Sequence, residues 1–486
     1  MAANRDHLGA HLDARGHTGR WGRPMTTNER LAALMIEAGY LDRDGKIGKK
    51  RFARAVTEAP AALRSGRAYN HTYVGRWLSG VTPRDDETRD AIREALGARL
   101  GRIVALDELG FRIDSTVSPD VGLTYPEQPE EGVASIADLL GADLSGNSVA
   151  ESSTNIAAWN DASVAWLVRS QKPLAELPGP ATVGAADVVR LRAMRQTFDR
   201  LDNMFGGAHA RNALVQYLRT DLPRLLRASG AADVRRDLFA AAGELVQLAA
   251  WMSYDAGLHG LAQRYFIQAL SLADAAEDRL LAASILDAMS HQASFLGRYR
   301  EAANMARAAR LGTESIAAPI LTAHFHTMEA RALARTSDPE ACQRAMGSAV
   351  DLFDRHVAGD GPEWIQYFDS AEMSAELGHC YRDLGRSDEA IRHATDALAS
   401  ASGDYARSDF FVAMVLADAH LDRGEVDEGC RVAEKAILVG ETLDSVRCRT
   451  YVTEFQQRLV RYRRSGAVRE FVSRVHGSRL WTPSAS

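Results

Sequence analysis

Five segments of this chain line up on one small residue each: LHGLAQRYFIQAL on Ala262, RYREAANMARAAR on Ala302, PEACQRAMGSAVDL on Ala341, RSDEAIRHATDAL on Ala390 and EVDEGCRVAEKAI on Gly429. The successive intervals are 40, 39, 49 and 39 residues. A period near 40 in Ala- and Leu-rich, Pro-poor sequence is that of a helix hairpin, a unit that cannot bury its apolar face alone and must stack on neighbouring copies. A small side chain at a fixed place lets the two helices of a hairpin approach, and large ones fill the gap. Four units also carry Gly five residues earlier (Gly257, Gly297, Gly385, Gly424), where one helix can stop and the chain reverse. The expectation is an all-α chain with a solenoid of hairpins from Ala185 to Leu480.

The fourth unit reads LGHCYRDLGRSDEAIRHATDAL from Leu377 to Leu398, and is similar to a tetratricopeptide repeat at Leu377, Gly378, Tyr381, Gly385, Ala390 and Ala397. The intervals exceed the family's usual length of about 34, which implies longer helices or connections. Ala185–Gly243 is read as degenerate pairs capping one end of the array and Val446–Val475 as the other cap, its Arg458, Arg461, Arg463 and Arg464 solvated and the tail 481–486 fraying. The resemblance implies a concave wall built from the first helix of each pair. Its lining positions fall on Gln247, Trp251, Tyr254, Asp255, Asp287, His291, His326, Glu372, Glu376 and His379, the candidate ligand groove. Aromatics beside carboxylates and imidazoles suit a peptide or a small cationic ligand. For Trp251 and Tyr254 the alternative is a packing role between repeats.

The front of the chain differs in charge. Residues 1–113 hold 20 Lys and Arg against 14 Asp and Glu, a net of +6, while the remainder is −12. Between Arg43 and Arg76 nine basic residues face two acidic ones. A basic head on an acidic body suggests a head that meets a polyanion. Residues 1–24 show no apolar periodicity and are expected to be a disordered arm. Helices are expected from an Asn28 cap to a stop at Gly39, over Lys49–Glu58, over the stretch beginning NHTYVGRWLSG at Asn70, and over Asp85–Leu100. Lys49, Lys50, Arg51 and Arg54 crowd the start of the second, where they oppose the helix dipole and suit a phosphate.

With YVGRWLSGVTP and the closing LGRIVALDELGF, residues 28–111 resemble the Cro/repressor-type helix-turn-helix of actinobacterial regulators. They depart from it in the ten residues Pro60–Tyr69, where a compact motif has a turn of three or four. The resemblance implies a DNA-binding domain over 25–113. Asn70, His71, Thr72, Tyr73 and Arg76 would read bases; Lys49, Lys50, Arg51, Arg54, Arg67 and Arg84 would contact phosphates. Residues 114–184, rich in Pro, Gly and Ser, are read as a linker with a short helix at 154–170 that docks Trp159 and Trp166.

No phosphate-loop, dinucleotide-binding, zinc-protease or nucleophile-elbow pattern occurs, so no catalytic site, cofactor or metal is expected. His324 and His326 lie two apart on a helix, about 200° around it, and cannot share a metal. The four cysteines show no paired spacing and read as core residues of a reducing, cytoplasmic compartment; no apolar run is long enough to cross a membrane. Function is expected to be that of a transcriptional regulator: the head binds a double-stranded DNA operator, and the repeats form a homodimer and hold a peptide, small ligand or protein partner. The alternative is a repeat scaffold for protein–protein interaction whose head does not bind DNA.

Overall fold

The computed structural model describes residues 28–83, 86–102, 104, 107–111, 118, 120–145, 149, 152–168, 174, 182–336, 338–357, 359–400 and 405–481. The arm 1–24, Arg84 and the tail after Trp481 lie outside the described residues. The chain divides into two compact units, up to Asp114 and from Ser115 onward. Both are helical. Among the described residues the only extended pairings are two isolated bridges, Leu41 with Ile47 and Thr182 with Ser229.

The N-terminal unit holds α1 (Glu29–Glu37), α2 (Lys49–Glu58), α3 (Pro60–Ser65), α4 (His71–Leu78) and α5 (Asp86–Leu100). Asn28 caps α1 by accepting the Leu31 amide at 3.0 Å, and its own amide group donates to the Leu109 carbonyl at 2.8 Å. Phe52, Val56, Val74, Trp77, Ile92 and Leu96 form one buried core. The long connection expected between the second helix and Asn70 is itself partly helical. Pro60 is compatible with the first turn of α3 because its missing N–H would have no partner there. Gly66 then ends the helix at φ +66°.

The second unit begins with α6 (Pro129–Leu144) and α7 (Ile156–Val168), followed by the pair α8 (Ala185–Phe205) and α9 (Gly207–Leu226). Five hairpins follow: α10 (Ala232–Asp255) with α11 (His259–Ala275), α12 (Arg279–Phe295) with α13 (Tyr299–Gly312), α14 (Pro319–Ala334) with α15 (Pro339–Phe353), α16 (Ser370–Asp383) with α17 (Ser387–Ala399), and α18 (Ala406–Arg423) with α19 (Val426–Gly440). A shorter pair, α20 (Val446–Leu459) and α21 (Gly466–Val475), completes the array.

Three hairpins share one packing rule. A small residue on the first helix meets a small residue twelve positions later on the second: Ser290 with Ala302, Ala330 with Cys342, and Ala417 with Gly429, while in the fourth hairpin Gly378 faces Ala394. Ser290 donates to the Ala302 carbonyl at 2.8 Å, and Cys342 Sγ lies 3.3 Å from the Ala330 carbonyl. A Cβ on Gly429 would stand 3.0 Å from the Ala417 carbonyl. The third hairpin therefore registers on Cys342, fully buried, and not on Ala341, which is only half-buried. Sequence alignment favours the alanine; packing favours whichever small side chain faces the partner helix. The turn glycines Gly257, Gly297, Gly385 and Gly424 have φ between +71° and +87°, the left-handed region that ends a helix without steric cost only for glycine.

The stretch read as a linker is built into the core instead. α6 starts with Pro129 at its first turn, and Glu131 reaches back to the Gln128 amide at 3.3 Å in a capping box. Its Ile136, Leu139 and Leu140 are buried in the same core as α10 and α11. Asp143 on α6 accepts from the Tyr265 hydroxyl at 2.6 Å and is paired with Arg211 of α9. On α7, Trp159 and Trp166 are fully buried, each removing about 4–6 kcal/mol worth of apolar surface from water. Val164, on the other face of the same helix, is 56% exposed. Trp166 lies over Gly312, where any Cβ would come within 2.1 Å of its ring, and under the guanidinium of Arg279 at 4.0 Å.

The array also closes on itself. The Asp444 amide donates to the Phe205 carbonyl at 2.6 Å, and the Ala208 amide to the Asp444 carbonyl at 3.1 Å. Beside this seam Arg407 of α18 pairs with Asp202 of α8 at 2.7 Å. Asp255, 1% exposed, collects the Gly207 amide and the Ser445 hydroxyl at 2.8 Å each, with Arg407 and Arg447 at 3.6 and 3.9 Å. The first pair thus meets α18 and the turn that precedes α20, across more than 200 residues of sequence.

Candidate functional site: the lumen of the closed array

Closing the array turns the expected open groove into a lumen lined by the first helices. Tyr367 marks it. This residue is 45% exposed, and its phenol is held well above the ordinary range, by burial first and then by the carboxylates of Glu372, Asp287, Glu376 and Asp199. Its ring is open to solvent at the edge of this wall, with the hydroxyl 3.2 Å from His324 Nε2. Tyr367 comes from the connection between α15 and α16, which holds the short 3-10 turn Glu363–Ile365 and accounts for the long 49-residue interval. The interval was the sequence signal for this residue.

At this end of the lumen His324 of α14 bonds Asp287 at 2.6 Å through Nδ1, and its Nε2 lies 3.2 Å from the Tyr367 hydroxyl. Burial acts against a charged imidazole here, but the Asp287 carboxylate outweighs it and holds His324 above its ordinary range. Burial likewise pushes the Asp287 carboxyl up, moderated by His324. Glu372 is raised to about 7, by burial first and by the neighbouring Glu376 second. Glu376 itself is held by Arg331 at 2.6 Å. His291 and His379 are held well below the ordinary imidazole range by burial and by Arg447 or Arg331 nearby, so both are neutral at pH 7.

Of the groove residues expected from sequence, Gln247, Trp251, His291 and Glu372 are half-buried on the inner helices. Trp251 packs edge-on to His291 with ring centres 5.3 Å apart, and Gln247 lies 3.5 Å from Ser284. Tyr254, Asp255, Asp287, Glu376 and His379 are on the same wall but buried. Tyr254 lies under Arg447 at 4.7 Å and Asp255 ties the seam, so these two hold the array together and are not open to a ligand. His326 is the clearest misplacement: its nearest carboxylate is Glu329, which is bonded by Arg307 and Arg310 of α13, on the side away from Asp287. The 200° step between positions two apart turns His324 inward when His326 faces the second helix of the previous hairpin. The cation Arg331 and the closing residues Arg407 and Arg447 were not read from sequence, because their roles depend on contacts 45 to more than 190 residues away.

A small pocket of about 60 Å³, open to solvent, lies beside the carboxyl-terminal ends of the inner helices, lined by His291, Phe295, Tyr299, Met328, Arg335 and Tyr451 among others. Its three arginines are already matched: Arg331 by Glu376, Arg335 by Asp383 at 3.3 Å, and Arg382 by Asp383 and Asp418 at 2.8 and 3.3 Å. Arg458 and Arg461, read as solvated, both bind Asp422, at 2.7 and 2.5 Å. All four cysteines are buried and free.

In the N-terminal unit, α4 has the expected bounds, and His71, Thr72, Tyr73 and Arg76 are exposed. Asn70 is the cap of the helix: its Oδ1 accepts the Thr72 and Tyr73 amides at 2.9 and 3.4 Å. That leaves only its amide group for another partner. Tyr73 is 44% exposed and leans edge-on against Tyr69 and toward Trp77. Among the phosphate candidates, Arg51 donates to the Leu41 carbonyl, Arg54 pairs with Glu58, and Arg67 bonds Thr88. Lys49, Lys50 and Arg76 have no carboxylate in ion-pair range among the described residues, and Lys49 Nζ lies 3.8 Å from where a Cβ on Gly75 would stand. Lys49 therefore reaches onto α4, on the exposed side that carries His71, Thr72 and Arg76.

Residues 31–112 match the family model of the SP15 N-terminal domain, so the similarity spans the N-terminal unit. No curated protein matches the chain. Among solved structures, aspartyl phosphate phosphatase F from Bacillus subtilis is similar over 62% of this chain and 86% of that chain, at 14% identity and a TM-score of 0.33. Those values are too low to carry a function across. Among the described residues no helix is long and apolar enough to cross a membrane, and no three His, Cys, Asp or Glu side chains converge to hold a metal.

Proposed function

We propose that this is a helical-repeat interaction protein, without a reaction of its own, whose lumen receives a ligand or a segment of a partner protein. The observation that supports this most is Tyr367, exposed to solvent with its hydroxyl 3.2 Å from His324, which is itself bonded to the buried Asp287 at 2.6 Å. Packing the hairpins does not require such chemistry, since the small-residue contacts and apolar cores do that elsewhere. The test places a photo-crosslinking residue at Tyr367 and, as an outer-face control, at Leu438, which is 66% exposed on α19. Adducts from 367 and not from 438 support the reading; equal adducts from both, or none from 367, overturn it.

A second reading, sequence-specific binding of duplex DNA by the N-terminal unit with the repeats pairing two copies, is favoured by Lys49, Lys50 and Arg76. Three exposed cations without carboxylate partners, two of them at a helix N-terminus, cost folding energy and suit a polyanion. Two heads would then read half-sites about 34 Å apart or a multiple of it. Mobility shifts with pooled random duplexes decide it: an enriched sequence whose binding weakens with salt supports it, and salt-insensitive or absent binding removes it.

A further inference from the structure

The charges at the Tyr367 end of the lumen do not balance. Asp287 is paired with His324 and Glu376 with Arg331, both at 2.6 Å. Asp369 uses one oxygen to cap α16, where Oδ1 accepts the Ala371 and Glu372 amides at 2.9 and 3.0 Å. Asp199 and Glu372 add two more carboxylates, and Glu372 has no hydrogen-bond or ion-pair partner for its side chain among the described residues. Among the described residues, the cations that act on Glu372 are His324 and Arg331. Five carboxyl groups face two cations here, and the shortage of positive charge is met by Glu372, which burial and Glu376 hold protonated up to about pH 7; a bound cation would take the place of that proton.

An independent observation points the same way. Asp287 is 3% exposed, and while its Oδ2 holds His324, its Oδ1 has no hydrogen-bond partner. A buried acceptor left open is expected to meet a donor when the site is filled. The donor is not a bare metal, because no three ligating groups converge among the described residues. The carboxylates are spread along three helices, as suits a larger cation that carries its charge on N–H groups. The aromatic edge fits too: Phe368 and Tyr367 stand with ring centres 4.6 and 6.0 Å from His324, and a phenol face beside carboxylates favours an organic cation.

We propose that this end of the lumen, bounded by Asp287, His324, Tyr367 and Glu372, binds the alkylammonium or guanidinium group of a ligand, with Glu372 as its counter-ion. The assignment rests on the lumen being the binding chamber and names the chemistry it takes. The charge comes either from a free diamine or from a lysine or arginine side chain of a partner segment, and both present the same head group.

The test is calorimetric titration of the full chain with cadaverine in one arm and N-acetyl-lysine methylamide in the other. Saturable binding is expected in at least one arm, weakened tenfold or more by Glu372→Gln and unchanged by Glu340→Gln, a carboxylate exposed on α15 and remote in role. Cadaverine alone binding assigns the site to free amines, and the lysine amide binding assigns it to a partner's side chain. Mono-acetylated and di-acetylated cadaverine separate charge from shape, since only the di-acetylated form lacks a cation and is expected not to bind. The melting temperature of Glu372→Gln, expected to equal or exceed that of the parent, guards against loss by misfolding. No binding of either cation at millimolar concentration, or equal affinity in Glu372→Gln, overturns the proposal. If that happens while a crosslink at position 367 still captures a partner, only the cation site fails; if the crosslink is silent as well, the chamber reading fails with it.

Discussion

Ser445 donates its hydroxyl hydrogen bond to Asp255 Oδ1 at 2.8 Å, joining residues 190 apart in sequence on a carboxylate that is 1% exposed. The other oxygen of the same carboxylate takes the Gly207 amide at 2.8 Å. Two loops and two arginines therefore depend on one side chain. Asp255→Ala leaves Arg407 and Arg447 short of a buried counter-charge, and is expected to cost about 3–5 kcal/mol, read by urea denaturation. Ser445→Ala removes one hydrogen bond and is expected to cost about 1 kcal/mol. If the two variants are equally mild, Asp255 is not the tie.

Gly206 is required by the same seam. Its backbone, φ +88° and ψ 159°, is open to glycine, and a Cβ would come 2.7 Å from the Asp444 carbonyl. Gly206→Ala is expected to lower stability by about 1–3 kcal/mol or more. Gly141→Ala, inside α6 with nothing within 4 Å of the new methyl, is expected to be neutral or to stabilise by up to about 1 kcal/mol. Melting temperatures of the pair check both.

Glu372 gives stability a pH dependence whose sign follows from its raised value. Its carboxyl is near 7 in the folded chain against 4.5 when free, so between those values the folded state binds more protons than the unfolded one. Its contribution to stability therefore falls as pH rises from about 4.5 to about 7, by a total on the order of 1–3 kcal/mol. Glu372→Gln is expected to flatten that segment of the stability profile, measured as denaturation midpoint against pH. A profile unchanged by the substitution contradicts the assignment.

For the N-terminal unit, replacing Lys50 or Arg76 by Ala is expected to weaken duplex binding and to reduce the slope of log affinity against log salt by about one for each phosphate no longer neutralised. Arg54→Ala, whose guanidinium is already matched by Glu58 at 2.8 Å, is expected to matter less. Salt-dependent fluorescence anisotropy on an enriched duplex checks the order.

Local rules made much of this architecture legible. The Asn28 and Asn70 caps, the bounds of α2 and α4, and the turn glycines at four hairpins follow from side chains acting within a few residues. Helix α6 is not legible in a stretch rich in Pro, Gly and Ser, although a proline in the first helical turn, as Pro129 is, is compatible with the helix. The inner wall was legible as far as helical periodicity reaches, which placed Trp251, His291 and Glu372. Its function was not, because curvature decides it: Asp255 and Tyr254 have the spacing of groove residues and are buried only because the array closes. Likewise His324 and Tyr367 meet through a connection whose path no periodicity encodes, although the 49-residue interval marked where it lay.

The closed array is tested most directly by amide hydrogen exchange at Asp444 and Ala208, whose N–H groups bond across the seam at 2.6 and 3.1 Å. Closure predicts that both amides are protected in the parent chain and that both lose protection together in Asp255→Ala, while Glu425, bonded within its own hairpin turn to the His420 carbonyl, stays protected. Fast exchange at Asp444 and Ala208 in the parent chain would mean an open solenoid, and with it the loss of the lumen on which the functional reading depends.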